Sequence, residues 1–301
     1  MGDSFAVSDY QLKTNYHNYL SRALKAGGYD HVEVLNAGMP GMGPGYYWHI
    51  LNKFGDKWQP DLVLVGFFVG NDFEEYDFIM QRGPFIHEPY DPWRRWLGYL
   101  QFRNFWLYKL IRGKLIVARE RRRRAQEKNT AKVAREGTFS NQGYLEIEKK
   151  RVWVFAKDKQ ATLMREWRED AAVFAKIQNW CSQRKAPLVF AVFPDQFQVD
   201  RNLRQEIYQT YHLRAADFDL AYPNGLIRNY CRQRQLHCLD MLGPFQKLGA
   251  SQTLYKLRDS HWNAAGNRLA ADLIFKYLTA HRLVGPRKRE AALKAGVGSN
   301  P

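Results

Sequence analysis

A serine near the start of the sequence and an aspartate–histidine pair near its end have the side chains needed for nucleophilic catalysis. Ser4 follows Gly2-Asp3, and Asp259 and His261 lie two positions apart. A serine hydroxyl is a weak nucleophile until a histidine accepts its proton, and a carboxylate fixes the tautomer of that histidine. Because of their spacing, one loop can supply both Asp259 and His261. The sequence therefore predicts Ser4 as nucleophile, His261 as base and Asp259 as the group that orients it.

Acyl transfer through a serine also needs donors for the oxyanion of its tetrahedral intermediate. The backbone N–H of Ser4, the N–H of Gly41 and the side-chain amide of Asn71 could supply them. Asp3 and Asp72 lie beside these residues. We expect these two carboxylates to hold the loops by accepting backbone N–H groups, without a direct chemical role.

The four motifs around Ser4, Gly41, Asn71 and His261 come in sequence order at the ends of predicted strands, in a chain whose predicted elements alternate between strand and helix. Predicted strands cover about 31–35, 62–69, 187–193 and 236–241, and predicted helices cover about 9–26, 46–54, 161–184, 225–235 and 264–280. The second and third strands are apolar at every position, as in a parallel sheet buried on both faces. Ligands in such sheets bind outside the carboxyl ends of the strands, so the motifs can converge there.

In motif order and content the sequence resembles the SGNH, or GDSL-type, hydrolases. Gly2-Asp3-Ser4-Phe5 resembles their first block, and Asn36 to Gly41 resembles the second. Gly70-Asn71-Asp72 and Asp259-Ser260-His261 resemble the third and fourth blocks. The resemblance covers roughly residues 1–80 and 155–282.

The resemblance implies a three-layer α/β/α sandwich with a mainly parallel, flavodoxin-like sheet. It also implies an esterase or O-deacetylase that acts on carboxylic esters through an acyl-enzyme on Ser4, with a small-molecule or glycan ester as substrate and no metal or organic cofactor. A carbohydrate O-acyltransferase on the same site is an alternative. A catalytically silent envelope or membrane-associated module is another.

In the SGNH family a central strand precedes the nucleophile, but only three residues precede Ser4 here. We therefore expect the sequence to lack its first strand, together with any leader or anchor before it. The compartment is not readable from the sequence, although an exported or membrane-associated protein is favoured.

Most of the positive charge is concentrated in one segment. The chain of 301 residues has a formal net charge of +16, and the segment from Arg94 to Arg124 contributes +10 of it. Aromatic and aliphatic residues alternate with these charges at helical spacing, which predicts an amphipathic helix. Such a helix could pack over the sheet, lie at a membrane interface or contact an anionic substrate. We expect no nucleic-acid partner, since no recognised binding motif accompanies the charge.

The domain organisation follows from these patterns. Residues 1–284 are predicted to form one SGNH-like domain, interrupted at about 85–150 by the basic aromatic helical insertion, and 285–301 a loose tail. The three cysteines have no spacing typical of a zinc site and cannot all pair in disulfides. The oligomeric state does not follow from the sequence.

Overall fold

A parallel three-stranded sheet with helices on both faces forms the centre of the molecule. The computed structural model describes residues 1–7, 14–73 and 137–285. The strands are β1 (Val63–Phe68), β2 (Leu188–Phe193) and β3 (His237–Asp240), in the order β1-β2-β3. The helices are α1 (Tyr16–Ala26), α2 (Pro44–Trp58), α3 (Asn141–Arg151), α4 (Gln160–Gln183), α5 (Gln196–Val199), α6 (Arg201–Thr210), α7 (Tyr222–Gln233), α8 (Leu242–Gly249) and α9 (Ala264–Ala280).

The central strand β2 explains why its sequence is continuously apolar. All six of its residues are buried, and it pairs in parallel with β1 from Val63↔Leu188 to Phe68↔Phe193. Successive side chains of a strand point to opposite faces, so β2 contributes to two separate cores. Leu188, Phe190 and Val192 pack on one side, with α2, α4 and α7. The alternate residues of β2 pack on the other side, with α1, α8 and α9.

This arrangement confirms the predicted three-layer α/β/α sandwich with a parallel sheet. The boundaries of α9 agree with the sequence prediction because the Asn263 side chain caps its first turn, accepting from the N–H groups of Ala265 and Gly266. One predicted strand was wrong: His31–Leu35 is irregular, and Leu35 is 54% exposed. The first predicted helix is observed only as α1, and its residues 9–13 lie outside the described ranges.

The start of the chain lies along β1. The Met1 amino group donates to the Leu64 carbonyl at 2.7 Å, and the Gly66 N–H donates to the Met1 carbonyl at 2.9 Å. These two bonds flank Val65 as in a parallel ladder. The chain therefore runs toward the carboxyl end of β1 and brings Ser4 to that edge of the sheet.

Only the last part of the predicted insertion lies in the described ranges. There α3 places Tyr144 and Leu145 in the core cluster shared with α4. The basic segment from Arg94 to Arg124 and residues 286–301 lie outside the described residues, so the predicted insertion and tail stay predictions. Within the described part of the chain, no helix is long and apolar enough to cross a membrane.

Candidate active site

Ser4 opens a single 3₁₀ turn whose geometry is fixed by its neighbours. The Oδ1 atom of Asp3 accepts the Phe5 N–H at 3.0 Å and caps this turn. Phe5 is 1% exposed, and its ring packs 4.4 Å from the ring of Phe68 and 4.8 Å from that of Trp262, centroid to centroid. A buried aromatic residue next to Ser4 therefore anchors the turn between β1 and the histidine loop.

Asp259 and His261 lie on a loop closed by backbone pairing just before α9. Tyr255 and Trp262 form an antiparallel bridge, and the Lys256 N–H donates to the His261 carbonyl at 2.9 Å. The Trp262 side chain is fully buried, which fixes the C-terminal end of this loop. The backbone of this loop is thus held in place, and its Asp259 and His261 side chains face Ser4.

The structure brings Ser4, His261 and Asp259 into direct contact. His261 Nε2 lies 2.8 Å from Ser4 Oγ, and His261 Nδ1 lies 2.6 Å from Asp259 Oδ1. The same Asp259 oxygen also accepts the backbone N–H of His261 at 3.0 Å. Both side-chain distances are those of hydrogen bonds, and the order of groups is that of a Ser-His-Asp triad.

A threonine that the sequence analysis did not single out completes the surroundings of Asp259. The Thr138 hydroxyl donates to Asp259 Oδ2 at 2.8 Å, and the Thr138 N–H donates to the Leu257 carbonyl. Burial alone would raise the pKa of Asp259. The hydrogen bonds and charge of His261, together with the Thr138 hydroxyl, instead lower this pKa to about 2. Asp259 is therefore an ionised carboxylate near neutral pH.

The charge on Asp259 determines the tautomer of His261. An ionised carboxylate can only accept hydrogen bonds, so the proton of a neutral His261 lies on Nδ1. The lone pair of Nε2 then faces Ser4, whose hydroxyl can donate to it. The side chain of His261 is 26% exposed, so the site is open to solvent.

Asp3 also contacts the Ser4 hydroxyl. Its Oδ2 atom lies 3.3 Å from Ser4 Oγ, a longer contact than that to His261. Asp3 is fully buried, and burial raises its pKa against the opposing effects of the Phe5 N–H and the charge of His261. Asp3 therefore supports the turn, as expected for a carboxylate that accepts a backbone N–H.

The loop that carries Gly41 is attached to the serine segment. The Met39 N–H donates to the Gly2 carbonyl at 3.0 Å, and an added Cβ at Gly38 would lie 2.2 Å from the Ala6 methyl. Gly41 has a φ of +69°, a conformation that glycine adopts without steric cost. The loop and the Ser4 turn are thus packed directly against each other.

Asn71 and Asp72 follow the carboxyl end of β1. Asp72 is fully buried, and its Oδ2 atom accepts the Phe68 N–H at 2.9 Å and the Tyr47 hydroxyl at 3.0 Å. These bonds hold the turn that carries Asn71 against the end of β1. Asn71 therefore lies at the same edge of the sheet as Ser4, next to the strand whose Phe68 contacts Phe5.

Across residues 1–7, 14–73 and 137–285, no group of at least three His, Cys, Asp or Glu side chains is arranged to hold a metal ion.

A comparison with protein families identifies the class to which this fold and site belong. The family model described as "SGNH hydrolase-like domain, acetyltransferase AlgX" matches residues 148–298, half of the chain. The chain belongs to this SGNH hydrolase-like family, which confirms the resemblance read from the sequence motifs. The matched range contains Asp259 and His261, whereas Ser4, Gly41 and Asn71 lie before it.

None of the curated proteins matches the sequence. Among solved structures, the chain is similar to the crystal structure of an acetyl xylan esterase, AlAXEase, with a TM-score of 0.48 and 13% identity. This similarity covers 91% of this chain and 96% of the esterase chain.

Proposed function

We propose that this protein is a serine-dependent enzyme that transfers acyl groups from carboxylic esters, with Ser4 as nucleophile. The observation that carries the proposal is the contact of His261 with both Ser4 and Asp259, at 2.8 Å and 2.6 Å. Ser4 and His261 are 257 positions apart in the sequence, so their contact depends on the fold and not on local chain geometry. The SGNH hydrolase-like family membership supports the same class of chemistry.

The first half of the reaction forms an acyl-enzyme. Ser4 Oγ attacks the ester carbonyl carbon while its proton moves to His261 Nε2, and the ionised Asp259 stabilises the resulting imidazolium. The tetrahedral intermediate then collapses, the bond to the alcohol oxygen breaks, and His261 returns the proton to the leaving alcohol. The acyl group remains as an ester on Ser4.

The negative oxygen of that intermediate needs donors near Ser4. We assign this role to the backbone N–H groups of Ser4 and Gly41 and to the side-chain amide of Asn71. The attachment of the Gly41 loop to the serine segment and the anchoring of the Asn71 turn by Asp72 support this assignment. Preorganised donors of this kind lose little energy in reorientation during the reaction.

The second half of the reaction depends on the acceptor. When water attacks the acyl-enzyme, His261 takes its proton and passes it to Ser4, and the product is a carboxylic acid. When a carbohydrate hydroxyl attacks, the same proton transfers yield a new ester. The matching family model is described as an acetyltransferase domain, and this supports transfer to a carbohydrate hydroxyl as a second candidate reaction. The proposed substrate is accordingly a small-molecule or glycan ester.

Release of p-nitrophenol from p-nitrophenyl acetate tests the proposal. Ser4→Ala and His261→Ala should each abolish turnover, and Ser4→Ala should also abolish labelling by a fluorophosphonate probe. Ser182→Ala is a matched control, because Ser182 is exposed at the end of α4, and it should retain full activity. Wild-type protein that neither turns over the ester nor reacts with the probe would refute the enzyme and favour a silent module.

A competition experiment separates hydrolysis from transfer. Purified protein is incubated with p-nitrophenyl acetate and an oligosaccharide, and the products are separated by mass. Acetylated oligosaccharide that depends on Ser4 indicates transfer. Free acetate as the only product that contains the acetyl group, formed at a rate unaffected by the oligosaccharide, indicates hydrolysis.

A further inference from the structure

Two buried carboxyl groups and one arginine lie beneath the candidate active site. Glu148 on α3 and Asp195 directly after β2 are both 0% exposed. Arg151, one turn after Glu148, donates to Glu148 Oε1 at 3.1 Å, and its side chain is 20% exposed. Burying two carboxylates with one guanidinium would leave an excess negative charge in the interior, which is energetically costly.

The hydrogen bonds of the two carboxyl groups leave one oxygen on each to be explained. Asp195 Oδ1 accepts the Phe197 N–H at 2.8 Å, and Glu148 Oε1 accepts from Arg151. Among the described residues, no donor reaches Asp195 Oδ2 or Glu148 Oε2, and both atoms are inaccessible to solvent. The two groups lie in the same neighbourhood, because a tyrosine hydroxyl one turn before Glu148 donates at 2.6 Å to the residue that follows Asp195, and the charge of Asp195 acts on Glu148. Two carboxylates cannot satisfy each other's oxygens, because neither has a donor.

We propose that Glu148 is a neutral carboxylic acid whose O–H donates a hydrogen bond to Asp195, and that this unit with Arg151 positions the loop of Asn71. One proton satisfies both remaining oxygens and leaves a single negative charge on the pair. Arg151 balances that charge, so the buried unit is neutral overall. The proton assignment stands by itself, whereas the positioning role rests on the proposed function.

The surroundings favour the proton on Glu148. Burial and the neighbouring charge of Asp195 raise the pKa of Glu148 well above its ordinary value, and Arg151 opposes this only in part. Burial also raises the pKa of Asp195, but Arg151 and the Phe197 N–H stabilise its charged form. The other titratable groups that face Glu148, Asp195 or Arg151 are Tyr144, Tyr255, Asp3 and Asp259.

Direct contacts connect this unit to the proposed catalytic groups. Asp195 Oδ2 lies 2.3 Å from where a Cβ of Gly70 would be, and Gly70 immediately precedes Asn71. The Arg151 guanidinium carbon lies 5.6 Å from the centroid of the Phe68 ring. The unit therefore packs under the turn that carries the proposed oxyanion donor, and Glu148 is a positioning residue.

The pH dependence of stability tests the proton. Glu148→Gln keeps a donor toward Asp195 and an acceptor for Arg151, so it should fold with near-normal stability. Since the pKa of Glu148 is raised in the folded state, the stability it contributes is complete below its unfolded pKa of about 4.3 and is lost as pH rises toward the folded value. The ratio of the wild-type to the Glu148→Gln unfolding constants should rise up to about tenfold per pH unit in that interval. Parallel pH profiles would overturn the assignment.

An infrared measurement gives a second, independent readout. Near neutral pH the wild type should show the carbonyl stretch of a protonated carboxylic acid, and Glu148→Gln should lack it. Glu33→Gln is the control, because Glu33 is exposed and its substitution should leave the band unchanged. A band of equal intensity in the wild type and in Glu148→Gln, or no band in the wild type, contradicts the proposal.

The positioning role is tested by comparing two substitutions in the ester assay. Glu148→Leu should lower kcat with little change in KM, whereas Glu148→Gln should restore kcat to within about twofold of wild type. Equal kcat in the two variants would overturn the positioning role. The protonation of Glu148 is decided separately, by the stability and infrared measurements. A wild type without esterase activity would refute the proposed function, and the positioning role with it, but not the shared proton.

Discussion

Replacing Thr138 by valine removes one hydrogen bond to Asp259 with almost no change in side-chain shape. The displacement of the Asp259 pKa from 3.8 to about 2 corresponds to about 2 kcal/mol of net stabilisation of the carboxylate. Thr138 provides one of its hydrogen bonds, and His261 provides the others. Bonds to charged groups contribute roughly 1.5–3 kcal/mol, so we expect Thr138→Val to reduce the free energy of unfolding near pH 7 by about 1–2 kcal/mol.

The sign of the pH effect follows from the lowered pKa. A carboxyl group with a depressed folded pKa contributes stability above its unfolded pKa, 3.8 for Asp259, and loses it as pH falls toward about 2. Loss of the Thr138 hydroxyl raises the folded pKa of Asp259. The difference in unfolding free energy between wild type and Thr138→Val should therefore be largest near neutral pH and shrink in acid.

Urea unfolding across this pH range and initial rates with p-nitrophenyl acetate measure both consequences. Because Asp259 orients His261, we expect kcat/KM to fall about tenfold, which corresponds to about 1.4 kcal/mol. Thr138→Ser retains the hydroxyl and is the matched control. Serine and valine variants that behave alike would show that the hydroxyl is unimportant. A stability difference that does not change with pH would refute the link to Asp259 ionisation.

Three further substitutions test the supports of the site, and a fourth is a control. Gly137 has a φ of +83°, and an added Cβ would lie 2.7 Å from an arginine side chain, so Gly137→Ala should lower the unfolding free energy by about 1–3 kcal/mol in urea titrations. Gly38→Ala should push the Gly41 loop away from the serine turn and lower kcat/KM of the folded protein more than about tenfold. Gly55→Ala is equally crowded but packs on a tryptophan of α4, and it should reduce thermal stability without this loss of activity. Tyr47→Phe removes one of the bonds to Asp72 and should cost about 1 kcal/mol in urea unfolding, and no change would contradict the support given to that turn.

The parts of the site that sequence reasoning found are those defined by local order along the chain. Asp259 and His261 are two residues apart, and Ser4 follows a short glycine-containing motif, so residue types and spacing were enough to name them. The strands β1 and β2 were equally predictable from the sequence, because burial on both faces requires an unbroken apolar run.

The parts that sequence reasoning missed depend on contacts between distant segments. Thr138 reaches Asp259 across 121 positions, and nothing in its local sequence indicates that partner. His31–Leu35 has the composition of a strand but pairs with no strand among the residues that the structure describes, and composition alone does not make a ladder.

The separation of Ser4 from His261 in the sequence has a consequence for the nascent chain during its synthesis on the ribosome. The two residues are 257 positions apart, and the bond between the Tyr16 N–H and the Asn267 side chain, which joins α1 to α9, spans 251 positions. At about 5–20 residues per second, the ribosome needs on the order of ten seconds or more to make that length. During this time the serine turn has no histidine to meet, so a nascent chain cannot carry out the proposed chemistry. Contacts of such long range also slow folding, because they form only after most of the chain has been ordered.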